Sequence, residues 1–327
     1  MTYSTGGLIQ ASDYNGFVQN NASNVNAVWG TGSGSSGWGQ TALGTVATGG
    51  TVTATQWATL NNTITAMHNQ TGVSITARTS PVAGNVIAVL ANLNTDITNI
   101  AASKGNATGS GTQFTGWTGT SSKTASTGSG SAAWTITFTQ TVTWASANAA
   151  RYFFNAGGLV KVQFSKTSTG TVADAEWNNF VNTVCGSIFI SGGAATQTIN
   201  GTSYTGVTKV GGTGTPSILA TTAGWYNLTT SNTTVYKQFD VTAPYTGDYV
   251  QVQAATAGAG TQLVLTTTWV STGDTNPGST AQISGGTATT GIVFGTAPAT
   301  VATYFPPSST YLPTASWGTP TVTATTV

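Results

Sequence analysis

Few residues of this chain could do acid–base or nucleophilic chemistry. His68 is the only histidine and Cys185 the only cysteine, so any Ser–His or Cys–His mechanism would run through His68. His68 falls near the end of a helical pattern, where an imidazole suits the helix dipole or caps the last turn. Spacing places no acid and no nucleophile beside it. Cys185 precedes the apolar run Ile188-Phe189-Ile190 and reads as a small buried side chain. Asp174 and Glu176 form the only close carboxylate pair. A glycosidase needs two carboxyls facing each other about 5–10 Å apart. Residues two apart at a helix start diverge, so both are expected to stabilise that N-terminus, with Asp174 as a cap. Asp240, Asp248 and Asp274 could ligate a hard cation only if the fold gathers them. No catalytic group, metal or cofactor is therefore expected.

Two further patterns invite a binding role. Gly32-Ser-Gly-Ser-Ser-Gly37 has the glycine spacing of a dinucleotide fingerprint. That motif works after a strand and before a helix, with an acid about twenty residues on. Here it follows a helical pattern and lacks the acid, so it reads as a loop. Trp38, Trp117, Trp225, Tyr226 and Tyr245 sit in Gly-rich, loop-like surroundings. Exposed, they could contact neighbouring subunits or stack on sugar rings; otherwise they fill a core.

Composition narrows the classes. Only 5% of the 327 residues are charged and the net charge is +1, against roughly 25% charged in an ordinary soluble domain. Eight Lys and Arg, scattered from Arg78 to Lys237, form no basic patch, which argues against nucleic acid. Ten Trp, ten Tyr and eleven Phe supply apolar surface for real cores, so low charge here does not mean disorder. Surfaces without charge lack mutual repulsion and favour association. A lone cysteine permits no intrachain disulfide. No basic-then-apolar leader opens the chain, and no apolar run approaches the ~20 residues that span a bilayer.

Periodicity supplies the elements. Tyr14, Phe17, Val18, Val25 and Val28 recur at helical spacing over 11–29, with Ser12 as the available cap. Trp57, Leu60, Ile64 and Met67 do so over 53–68, behind a Thr53/Gln56 capping box. A third stripe over 82–102 is followed by Gly105. The stretches opening at Gly6-Gly7 and Gly49-Gly50 align as a repeat, each with a cap and then an aromatic, Tyr14 or Trp57. Residues 1–105 are expected to form a small helical bundle that anchors the chain. Residues 106–133, nearly all Gly, Ser, Thr and Ala, read as a linker or arm. From Trp134 the period becomes two: 134–144, 159–164 and 249–254 alternate, while 263–270 is apolar on both faces and reads as covered on both. A helical insert spans 174–183. The expected class is α+β multidomain, with 134–327 a mainly antiparallel β-sandwich or jelly-roll-like domain.

Two stretches carry a resemblance. Asp13-Tyr-Asn through Val25-Asn-Ala-Val-Trp-Gly and Gly37-Trp-Gly-Gln40 resembles the start of virion structural proteins from tailed phages of marine cyanobacteria and their relatives. Arg151-Tyr-Phe-Phe-Asn-Ala-Gly-Gly158, Trp177 and Trp225-Tyr-Asn-Leu-Thr229 are similar to the β domain of the same family. The resemblance implies a non-enzymatic tail- or neck-associated component of the virion, and it brings no catalytic residues. The expected partners are other virion proteins and copies of the chain itself, as a trimer or hexamer. The alternatives are an adhesin for host surface glycan and a capsid decoration protein.

Overall fold

The computed structural model describes residues 10–19, 23–80, 82, 92–108, 114–116, 121–123, 133–168, 172–273, 288–295, 311–314 and 316–326. It is a mixed helical and antiparallel β structure, with the first helices grouped in the N-terminal region.

The N-terminal helices are α1 (Ala11–Val18), α2 (Val25–Trp29), α3 (Ala54–Thr71) and α4 (Leu93–Ala102). The single helix expected over 11–29 is two. Gln19 leaves helical geometry with ψ 144°, and the second helix begins afresh behind Asn24, itself extended at ψ 163°. Ser12 is not the cap either. Gln10 holds that position, and its backbone N–H donates to Asp13 Oδ2 at 3.0 Å. The Thr53/Gln56 box is present in both directions, at 2.8 and 3.2 Å, and α3 ends on Gly72 at φ 71°, as a left-handed C-cap requires. Residues 83–91 of the third stripe lie outside the described residues. The repeat has a physical counterpart: Tyr14 and Trp57, each at the fourth position of its helix, meet edge to face at 5.6 Å.

Two six-stranded sheets follow. In the first, β1 (Phe114–Gly116) and β2 (Ser121–Lys123) pair β13 (Ala288–Gly295), followed in order by β4 (Leu159–Lys166), β5 (Ser187–Ile190) and β8 (Val207–Val210). In the second the order is β14 (Thr321–Thr326), β3 (Trp134–Thr143), β12 (Gln262–Ser271), β11 (Tyr249–Ala257), β10 (Thr233–Phe239) and β9 (Ile218–Leu219). A hairpin of β6 (Gln197–Ile199) and β7 (Thr202–Tyr204) stands apart. So two short strands lie within the stretch read as a linker or arm. Residues of the two sheets meet: Phe164 of β4 stacks on Tyr236 of β10 at 6.1 Å, and Gln140 of β3 donates to the Thr290 carbonyl of β13 at 2.8 Å. Residues of α1 through Trp317 belong to one continuous buried cluster, so the helices and the sheets share it.

The alternation in β3 is real, with Trp134, Ile136, Phe138, Gln140 and Val142 buried. The expectation that 263–270 is covered on both faces is corrected. In β12 only Leu263, Leu265, Thr267, Trp269 and Ser271 are buried, while Val264 and Val270 are half-exposed. β-Branched residues suit a strand's open face as well as its buried one, so composition alone misleads there.

The helical insert is α6 (Val172–Asn179), which continues into a π-helical turn, Phe180–Val184. Its Trp177 is fully buried, stacked on Trp269 at 5.8 Å and close to Trp134 at 4.8 Å. Asp174, expected to stabilise the start of this helix, lies in its first turn and is also buried in an ion pair with Lys166 at the end of β4, both side chains wholly removed from solvent. Removing one partner strands the other charge, so Asp174→Ala should cost about 3–5 kcal/mol. Lys166→Met with Asp174→Leu should recover most of that loss. Urea denaturation of the three proteins checks both outcomes.

Candidate functional site

The glycine-rich loop is hydrogen-bonded on both of its sides. It leaves α2 and returns to it, with Trp38 N, Gly39 N and Gln40 N donating to the carbonyls of Val28, Gly30 and Trp29 at 2.8–3.0 Å. Gly37 and Gly39 have φ 94° and 71°, conformations open to glycine. A side chain on Gly39 would also run into the Tyr152 ring, 2.6 Å away.

The loop rests on α5 (Ala147–Asn155), a helix capped by Ser146 Oγ accepting from Ala149 N at 3.0 Å. Arg151 donates to the carbonyls of Ser36 (2.6 Å) and Thr31 (2.7 Å). Asn155 Nδ2 donates to the Gly37 carbonyl at 3.0 Å, and Trp38 Nε1 donates back to the Asn155 carbonyl at 2.9 Å. The Tyr226 hydroxyl donates to Asn155 Oδ1 at 2.6 Å. The loop therefore turns carbonyls toward a guanidinium and an amide. A phosphate cradle needs the opposite, backbone N–H groups converging on an anion. The fingerprint spacing is a clamped turn, as the sequence reading expected.

Beside the loop lies a small solvent-open cleft of about 120 Å³, lined by Ser35, Lys104, Asn106, Asn155, Gln197 and Tyr226 among others. Its polar groups are engaged within the protein. Lys104 Nζ donates to Ser36 Oγ at 2.7 Å, Asn106 Oδ1 accepts from Thr198 N at 2.9 Å, and Gln197 Oε1 accepts from Gly192 N at 3.4 Å. Burial lowers the Lys104 pKa and raises that of Tyr226, whose phenol stays protonated. No nucleophile, base and orienting acid meet there.

The aromatics expected as contact residues do not share one surface. Trp38 is wholly buried, Tyr245 is buried, and Trp225 is buried and stacked on Phe154 at 5.2 Å. They fill the core, because Gly-rich neighbours let backbone close over an indole. Of the two readings left open, core or exposed contact, burial favours the core for these three. Tyr226 is half-buried at the cleft, and Trp117 lies outside the described residues. Sequence reasoning missed Arg151 and Asn155 as the residues that hold the loop; two polar side chains a helical turn apart on a capped helix were the available signal.

His68 lies in the last turn of α3, where its Nδ1 meets the Val73 carbonyl. Cys185 is buried, and burial pushes its thiol up to about 12. Asp240 and Asp248 close the connection between β10 and β11. Asp240 N donates to the Asp248 carbonyl at 2.9 Å, Thr242 N donates to Asp240 Oδ1 at 2.9 Å, and Thr272 N donates to Asp248 Oδ1 at 2.9 Å. Burial raises both carboxyls, and Glu176 and Asp248 add repulsion at Asp240, which reaches about 6. Among the described residues no three His, Cys, Asp or Glu side chains could hold a metal ion, and Asp274 lies outside them. No helix among them is long and apolar enough to cross a membrane.

Two outcomes follow from these contacts. Arg151→Met should speed amide hydrogen exchange over 31–37 while leaving β3 and β12 protected, at a cost of about 1–2 kcal/mol; Arg151→Lys should fail to rescue, since one ammonium cannot span both carbonyls. Asp240 keeps its proton in the folded state to a higher pH than in the unfolded chain. Its contribution is full below about pH 4 and falls away as the pH rises to about 6. Asp240→Asn removes that charge while keeping an acceptor for Thr242. It should match the wild type at pH 4 and exceed it by on the order of 2 kcal/mol at pH 7.5, measured by urea denaturation at both pH values. No family model matches the chain, and no curated protein or solved structure matches it significantly.

Proposed function

We propose that this chain is a non-enzymatic structural component of a tailed-phage virion, built into the tail, neck, baseplate or a fibre by symmetric contacts with its own copies and other virion proteins. The observation that carries the reading is where the charges go. Of a set already small, Arg78 pairs Asp96, Lys166 pairs Asp174, Arg151 serves loop carbonyls, and Lys209 donates to the carbonyls of Gly212 and Gly214. Among the described residues, what faces outward is mainly hydroxyl, amide and methyl. Such a surface suits a protein held in an assembly better than one kept apart from its copies by repulsion. The resemblance of Arg151-Tyr-Phe-Phe-Asn-Ala-Gly-Gly158 to the phage virion family supports the same reading. We read the two sheets, joined by Phe164–Tyr236 and Gln140–Thr290, as a β-sandwich of jelly-roll-like kind.

A second reading, an adhesin for host surface glycan, is favoured by the cleft, which the half-buried Tyr226 lines. An empty glycan array, with adsorption unchanged by Tyr226→Ala, would remove it. A capsid-decoration role belongs to the same structural class and differs in location only. The principal reading expects the chain to be present in purified particles, at a copy number divisible by three, as a trimeric or hexameric ring or fibre requires. Quantitative mass spectrometry of purified particles checks this; absence from the particle would end the proposal.

A further inference from the structure

The two sheets differ in what covers their outer faces. Over the first sheet, the β6–β7 hairpin buries Ile199 and Tyr204 against Leu159 and Phe189. The outer face of the second sheet carries no such cap among the described residues. Its strands line up in cross-strand rows: Thr323, Thr141 and Val264, which ends on the buried Ala255; Thr325, Thr139, Thr266 and Gln253; Thr137, Thr268, Gln251 and Lys237. Apart from Ala255, the residues of these rows on β3, β12, β11 and β10 are half-exposed, and those on β14 are exposed. The one charge in these rows, Lys237, lies over the Tyr249 ring at 3.7 Å and the Phe239 ring at 4.7 Å. The face is thus a lattice of threonine methyls and hydroxyls, with its single cation held against aromatic rings.

We infer that this face is the contact between two copies of the chain, packed face to face across a two-fold axis; the inference rests on the assembly reading above and names its surface. In a two-fold contact a patch meets itself, so any charge near the axis meets its own kind. Rows without charge at their centre satisfy that constraint. Size agrees as well. Five strands about 4.8 Å apart, the longest ten residues at about 3.3 Å each, present roughly 600 Å² in projection, near the ~800 Å² per partner of a standard interface. Matched β-branched side chains can interdigitate between such sheets at about 10 Å separation. A two-fold contact of this kind builds dimers and hexamers made of dimers. It does not build a lone trimer.

Sedimentation velocity of the full chain up to about 0.1 mM tests the inference. The wild type should be a dimer or hexamer. Thr139→Lys with Thr266→Lys, a facing pair at the centre, should weaken association at least about 100-fold while keeping cooperative unfolding. Thr268→Lys alone should weaken it less, and serves if the double variant fails to fold. Thr202→Lys, exposed on the β6–β7 hairpin, should change nothing. An oligomer indifferent to the lysines at 139, 266 and 268 would overturn this face while leaving the assembly reading standing. A wild type that is monomeric throughout would overturn the face and weaken that reading too. If that monomer were retarded on a neutral polysaccharide matrix, and the lysine variants were not, the face would belong to glycan.

Discussion

Side-chain amides do in this protein much of the work that ion pairs do elsewhere, and the irregular segments depend on them. Asn15 both donates to and accepts from the backbone of Val46, with both bonds at 2.8 Å. Asn26 does the same for Leu43 at 2.8 Å, and Gln40 for Thr314 at 2.7 and 3.0 Å. A carboxamide presents one donor and one acceptor side by side, so it pairs with extended backbone as a neighbouring strand would. The segment from Gln40 to Val46 has no strand partner, yet these bonds fix it against α1 and α2. Buried backbone groups must be paired, and with so few charges amides are the available partners.

The same logic joins the helical region to the sheets. Through Arg151 and Asn155, α5 grips the loop that follows α2, and Trp38 Nε1 answers to the carbonyls of both Asn155 and Lys104 at 2.9 and 3.0 Å. Trp144, at the end of β3, packs on Phe153 and Phe154 of that helix at 5.3 and 5.5 Å. One short helix thus passes orientation from sheet to loop to α4. Polar bonds set the angles and aromatic burial supplies the driving force, since a buried aromatic contributes far more area than any one hydrogen bond.

What was legible in the sequence followed from patterns with one physical cause. The α3 capping box and the alternation of β3 were readable because each depends on neighbours in the chain. The repeat was readable for the same reason, down to the Tyr14 and Trp57 positions. Contacts distant in sequence were not. Nothing local says that β14 pairs β3, that Lys166 neutralises Asp174, or that Arg151 reaches Thr31. Trp38 and Trp225 stayed open between core and surface, because Gly-rich flanks also suit exposed turns; here both rings are buried. Val264 and Val270 misled because an apolar residue on an uncharged face looks like core.

A fold that engages several of its few charges internally and, among the described residues, leaves a hydroxyl-rich exterior suits a building block, and the proposed place for it is a tailed-phage particle. Cryo-electron microscopy of the intact virion tests that claim most directly. The account predicts ordered copies of this chain in a symmetric ring or fibre of the tail or neck, with sheets of neighbouring copies in contact. Particles whose density holds no such chain would contradict it.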